Sequence, residues 1–157
     1  SKSQQKTVGR NINETGINMG NWYNTGYDKT HDFSFVSNFK LNEKLTFNTN
    51  FIFRTGQPTN YPIGQYTYMD LTIPNYGARN SNRLPNYHRL DISLTLDPNK
   101  NKKRDYKSEW IFGFYNIYNR DNANSITFRQ NEKTLKNEAV QISIFGIVPS
   151  ITYNFKF

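Results

Sequence analysis

The sequence predicts an all-β chain: antiparallel strands with the length and patterning of a transmembrane β-barrel wall. Three observations carry this expectation. Apolar and polar residues alternate with period two along four segments. Most of these segments approach the ~9–11 residues that cross a bilayer, against ~5–6 in soluble sheets. The composition is the third. The 157 residues are 35% hydrophobic and 16% aromatic, with 12 Phe, 11 Tyr, 2 Trp and 23 Asn. Average usage is ~45–50% apolar. Few aliphatic and many aromatic residues speak against a helical bundle, and that many aromatics speak against disorder.

The strands follow in order. Residues 31–41 set Phe33, Phe35, Phe39 and Leu41 against Asp32, Ser34, Asn38 and Lys40. Residues 45–54 set Leu45, Phe47, Phe51 and Phe53 against Thr46, Asn48, Asn50 and Arg54. Residues 87–97 set Leu90, Ile92, Leu94 and Leu96 against Arg89, Asp91, Ser93, Thr95 and Asp97. Residues 150–157 set Ile151, Tyr153, Phe155 and Phe157 against Ser150, Thr152, Asn154 and Lys156. A fifth strand, 108–119, is aromatic on both faces, so alternation does not assign its outward side. Residues 1–7 read as the end of a sixth.

The connections alternate in length. Asn42-Glu43-Lys44 is short, 55–86 long, 98–107 medium and 120–147 long. Thr55-Gly56-Gln57-Pro58 ends the second strand, with Gly56 and Pro58 shaping its exit. Within the last connection, 125–130 and 139–145 read as a β-ribbon. Short turns on one side and long loops on the other are the habit of outer-membrane barrels. On that parity the C-terminus is periplasmic and the long loops are extracellular. Five strands and part of a sixth do not close a barrel, because the smallest single-chain barrels have about eight. The chain is therefore expected to be the C-terminal part of one larger barrel domain, completed by more polypeptide.

Several classes are excluded. The chain has no Cys, so disulfides and thiolate chemistry are absent. No stretch reaches the ~18 apolar residues of a membrane helix. Net charge is +8 and the pI about 9.6, but the cations are dispersed. The densest run, Asn99 to Arg104, reads as a solvated turn, and nucleic acid is not an expected partner. No nucleophile–base pair, phosphate-binding Gly loop or carboxylate dyad stands out, so neither catalysis nor a cofactor is expected. His31 and His88 lack convergent partners and read as interface or loop-packing residues rather than metal ligands.

Three segments resemble a known family. Tyr27-Asp28-Lys29-Thr30-His31-Asp32 is similar to Y-D-R-x-H-D. The run from Arg79 through Arg83, Pro85 and Tyr87-His88-Arg89-Leu90-Asp91 is similar to R-N-x-x-R-x-P-x-Y-H-R-L-D. Tyr115-Asn116-Ile117-Tyr118-Asn119-Arg120 and the terminus Val148 to Phe157 form the third. Together they resemble the C-terminal end of TonB-dependent outer-membrane receptors, in particular SusC-like barrels. The resemblance implies a barrel of about 22 strands with an N-terminal plug that imports a nutrient, such as a glycan, a peptide or a metal chelate. This chain carries no plug. The implied partners are outer-membrane lipid, the remaining strands and plug, the barrel-assembly machinery, a TonB-type energiser and a surface lipoprotein lid. The resemblance also makes Tyr153, Phe155 and Phe157 an assembly signal; the plainer reading is a lipid-facing strand.

The hairpin fixes one further expectation. A three-residue loop sets Leu41 opposite Leu45, so Asp32 falls opposite Arg54 as a lumen-side ion pair at the outer rim. Arg89 and Asp91 share that face one strand along. Among the loop aromatics, Trp22, Tyr61, Tyr66 and Tyr76 are candidate ligand contacts, against girdle or loop packing. Two rivals remain open. One is a non-transporting outer-membrane scaffold in a secretion or surface complex; the other is a soluble β-sandwich that binds carbohydrate.

Overall fold

The computed structural model describes every residue except 12, 70, 100–105, 132 and 134–136, and the side chains of Thr72 and Gln130. Most of the basic turn 99–104 thus lies outside the described residues. Among the described residues thirteen strands follow in chain order: β1 (Gln4–Gln5), β2 (Tyr23–Asn24), β3 (Asp32–Lys40), β4 (Leu45–Arg54), β5 (Pro58–Thr59), β6 (Pro62–Tyr68), β7 (Leu71–Tyr76), β8 (Asn82–Arg83), β9 (Tyr87–Leu96), β10 (Lys107–Tyr115), β11 (Ala123–Gln130), β12 (Asn137–Ser143) and β13 (Val148–Lys156). The described residues contain no α-helix and one short 3-10 turn, Ile17–Gly20. The chain is all-β.

Two units organise these strands: residues 1–32 with 54–86, and residues 33–53 with 87–157. The second unit is built on an open five-stranded sheet in the order β13-β10-β9-β4-β3. Its long strands form where alternation is strongest. The β3–β4 hairpin closes where Leu41 N–H donates to Leu45 O at 2.9 Å. Asn42 Oδ1 accepts from the N–H groups of Lys44 and Leu45, both at 2.9 Å, which holds the turn as an Asx cap. Pro149 sits in β13, an edge strand, where Pro is tolerated better than in a central one.

Register resolves the aromatic strand. Gly113 pairs with Ser93 on one side and Ser150 on the other. Trp110 pairs with Leu96 and Tyr153, and Phe112 with Leu94 and Ile151. Directly opposed residues share a face. Trp110, Phe112 and Phe114 therefore stand on the apolar face, while Glu109, Ile111, Gly113 and Tyr115 join the polar one.

Among the described residues of the unit, no layer covers the apolar face. Phe35 is 54% exposed, Phe39 63% and Ile151 69%. Among the described residues of the whole chain, Tyr23 is the only buried hydrophobic side chain. On this face eleven large apolar residues of β3, β10, β13 and their ends are exposed. Full burial of such a side chain is worth ~1.5–3 kcal/mol. Half-exposed, the eleven forgo on the order of 10 kcal/mol, as much as the whole stability of a typical domain.

The structure departs from the sequence reading in three places. Residues 1–7 do not enter the five-stranded sheet: only Gln4–Gln5 is extended, and it pairs with Tyr23–Asn24. The fifth strand ends at Tyr115, because Asn116 and Asn119 turn left-handed with φ of 52° and 53°. Asn tolerates that region better than other non-Gly residues. The connection 55–86 holds four strands, including the β6–β7 hairpin, in which Tyr66 pairs with Ile73 and Tyr68 with Leu71. The expected ribbon is present as β11–β12.

Candidate functional site

The middle of the polar face of the five-stranded sheet is a bonded surface of amides and hydroxyls around the Arg89–Asp91 pair. Asn48 Nδ2 donates to Ser93 Oγ at 3.2 Å and Thr95 Oγ1 at 3.0 Å. Asn50 Nδ2 approaches Asp91 Oδ2 at 3.5 Å. Arg89 binds the same carboxylate, with its terminal nitrogen 2.8 Å and Nε 3.0 Å from Oδ2. The other oxygen, Oδ1, accepts the Asn116 N–H at 2.9 Å. Asp91 thus joins β4, β9 and the turn after β10.

Arg89 has a second set of partners. Its guanidinium lies 4.0 Å from the centroid of the Tyr115 ring, and another nitrogen donates to Tyr87 Oη at 3.1 Å. Tyr115 lines two cavities. One, of about 290 Å³, is floored by Asn48, Ser93, Gly113 and Ser150. The other, of about 270 Å³, lies among Tyr87, Asn122, Asn124, Ile144 and Phe145. The sequence reading missed Tyr115, because that assignment depends on the face of β10.

At the strand exits of this unit, three asparagines hold the backbone. Asn116 is 1% exposed; its Nδ2 donates to Arg120 O at 2.9 Å and Phe145 O at 3.4 Å, and its Oδ1 accepts the Arg120 N–H at 3.1 Å. Asn119 Oδ1 accepts from Ile147 N–H at 2.7 Å. Asn122 clamps both backbone groups of His88, at 3.1 and 2.9 Å. His88 Nδ1 lies 2.9 Å from Tyr118 Oη.

In the other unit, Arg54 Nε lies 3.3 Å from Asp32 Oδ2, with both side chains more than two-fifths exposed. The backbone beside them closes through Thr55 N–H to His31 O at 2.9 Å. A second pair there was not legible in sequence. Arg83 binds Asp28, whose side chain is fully buried. Arg83 also donates to Gly56 O at 3.0 Å, and Asp28 Oδ1 accepts the Ser3 N–H at 2.6 Å. The Arg83 hydrogen bond, then the Ser3 amide, hold the Asp28 carboxyl below its ordinary value, against the opposing effect of burial.

The four candidate ligand aromatics all fall in this unit but do not form one site. Trp22 is exposed. Tyr66 and Tyr76 are exposed on the β6–β7 hairpin. Tyr61 Oη donates to Arg83 O at 3.4 Å, and burial raises its phenol. Among the described residues no ring contact joins Trp22, Tyr66 and Tyr76, and no cluster of His, Cys, Asp or Glu has the makings of a metal site. The C-terminal aromatics do associate: Tyr153 and Phe155 centroids are 5.9 Å apart, Phe155 and Phe157 5.4 Å.

Comparison with protein-family models, with curated proteins and with solved structures gives no match to this chain.

Proposed function

We propose that this chain is a wall segment of a larger outer-membrane β-barrel, and that the barrel is a TonB-dependent transporter importing a nutrient. One observation carries the wall reading. The five-stranded sheet is finished on both faces yet packed on neither, with aromatic and aliphatic side chains exposed on one and a hydrogen-bonded Asn/Ser/Thr layer on the other. In water the apolar face costs on the order of 10 kcal/mol. Against lipid that cost vanishes, and a polar lumen suits the opposite face. The sheet's open edges, β3 and β13, need further strands, since unpaired backbone is not tolerated in hydrocarbon.

The transport part rests on the resemblance of the Tyr27–Asp32, Arg79–Asp91 and C-terminal segments to TonB-dependent receptors. On this reading the C-terminus is periplasmic and the long connections are extracellular. Plug, energiser, assembly machinery and a lipoprotein lid are the corresponding partners. The test is extraction of the native polypeptide that carries this chain. A heat-modifiable protein that needs detergent, with a mass of roughly 80–120 kDa on the size scale of a barrel of about 22 strands, is the expected result. Recovery as a soluble monomer without detergent overturns the reading.

A further inference from the structure

We infer that the cavity beside the β11–β12 ribbon, at the end of the five-stranded sheet that carries Tyr87 and Tyr115, binds an aromatic side chain of a peptide together with its neighbouring peptide group. The inference stands on the second unit alone. It rests on the transporter reading above only in calling that peptide cargo. The cavity measures about 270 Å³. Three rings line it, Tyr87, Tyr115 and Phe145, with Ile144 beside them. Tyr115 and Phe145 stand edge-on, with centroids 6.3 Å apart and planes at 85°. Rings so placed accept a further ring at centroid distances of ~4.5–7 Å. Among the described residues that line the cavity, none is charged. Arg89, which covers the Tyr115 ring, has its charge met by Asp91 at 2.8 Å. An uncharged aromatic lining selects a neutral apolar group.

The polar handle is Asn124. Strand β11 bulges there: Ala123 pairs with Ser143 and Ser125 with Ile142, so Asn124 is the extra residue outside the ladder. Bulges re-aim a side chain and recur beside binding sites. Asn124 lines the cavity, and among the described residues its side chain makes no hydrogen bond. The other polar side chains are already engaged. Tyr87 Oη accepts from Arg89 at 3.1 Å and shares a hydrogen bond with Tyr115, and Asn122 holds both backbone groups of His88. One carboxamide is left to meet a ligand. A pyranose brings several hydroxyls, each costly to bury unpaired, and finds too few partners here. A peptide group brings one N–H and one C=O, and a carboxamide answers both. Size agrees: an apolar cavity of ~150 Å³ holds benzene, so this one has room for a benzyl group and the peptide unit that carries it.

The test is isothermal titration of the full detergent-solubilised protein with N-acetyl-Ala-Phe-Ala-amide, N-acetyl-Ala-Ala-Ala-amide and maltose. The expected result is roughly tenfold tighter binding of the phenylalanine peptide than of the alanine peptide, as burial of a ring in place of a methyl predicts, and no binding of maltose. Ile144→Trp fills the cavity and is expected to abolish the difference. Asn124→Ala keeps the walls and is expected to weaken the phenylalanine peptide roughly fivefold. The wild-type comparison needs no variant, and heat-modifiable migration shows that each variant is folded. Equal affinity of the wild type for the two peptides overturns the inference, as does a preference that survives Ile144→Trp. Unchanged affinity in Asn124→Ala overturns the contact to the peptide group. Tighter binding of maltose overturns the peptide assignment. A protein that binds the phenylalanine peptide yet stays soluble without detergent keeps the site and loses the membrane reading.

Discussion

Trp110 and Tyr153 stand opposite one another across β10 and β13, ring centroids 4.5 Å apart and planes inclined at 39°. This pair decides which way the aromatic strand faces. With Trp110 beside Tyr153, the whole set Trp110, Phe112 and Phe114 continues the face of Ile151 and Phe155, and Gly113 and Tyr115 fall on the polar side. Such a pair contributes about 0.5–1.5 kcal/mol beyond its buried area.

The Asp28–Arg83 pair makes the first unit acid-sensitive. A carboxylate held below its ordinary 3.8 stabilises the fold above that value, and the contribution is lost as pH falls through the lower folded value. Limited proteolysis followed from about pH 5 to pH 2 is expected to show residues 1–32 and 54–86 loosening at the acid end. Asp28→Asn flattens that acid step and weakens the unit at neutral pH by about 1.5–3 kcal/mol, the worth of a charge-assisted bond. A wild type whose cleavage is indifferent to pH contradicts this.

Asn116 is expected to be intolerant. Asn116→Ala leaves the Arg120 N–H and the Arg120 and Phe145 carbonyls without their side-chain partner and puts Ala at a left-handed φ of 52°. The expected loss is about 1–3 kcal/mol for the unsatisfied groups. Asn116→Gly relieves the backbone but not the bonds, so it recovers only part. Urea unfolding of the reconstituted protein measures both; a neutral alanine variant refutes the role.

The two arginine–aspartate pairs differ in weight. Arg54 and Asp32 are two-fifths exposed, and Arg54→Gln is expected to cost under about 1 kcal/mol, less still at high salt. Arg89 is 17% exposed, stacks on Tyr115 and binds Tyr87 as well as Asp91. Arg89→Gln is expected to cost about 2–4 kcal/mol, because it strips a part-buried carboxylate of its cation and a ring of its cover. Equal costs at the two sites contradict this ranking.

Gly113 leaves room that Ser150 uses. A Cβ at Gly113 comes within 2.8 Å of Ser150 Oγ, the movable end of a short side chain. Gly113→Ala is expected to destabilise by about 1 kcal/mol, and adding Ser150→Ala to remove most of that loss. A double-mutant cycle reads the coupling; strict additivity contradicts the contact.

The long strands were legible because period-two alternation needs no partner to be seen: β3, β4 and β9 lie within a residue or two of the expected bounds. The face of β10 was not, since Ile111 and Tyr115 are as apolar as Phe112 and Phe114, and only pairing with Ser93 and Ser150 separates them. That ambiguity hid the Arg89–Tyr115 stack. The Asp28–Arg83 pair was hidden for another reason: it joins residues 55 apart, and nothing local marks either as buried. The β6–β7 hairpin does carry a local signal, the alternation Tyr66-Thr67-Tyr68, masked by the Gly, Asn and Pro around it. Residues 1–7 misled because a tail of polar residues extends equally well along a sheet or, as here, along Tyr23–Asn24.

The central claim is that the apolar face of this sheet meets lipid. Replacing Trp22 by Phe leaves Trp110 as the single tryptophan of this chain. In the full protein reconstituted in vesicles, with tryptophans outside this chain also replaced by Phe, quenching of Trp110 by brominated acyl chains tests the claim directly. The account predicts strong quenching by bromolipid and little by aqueous iodide. Strong iodide quenching without a bromolipid effect would place the face in water and contradict it.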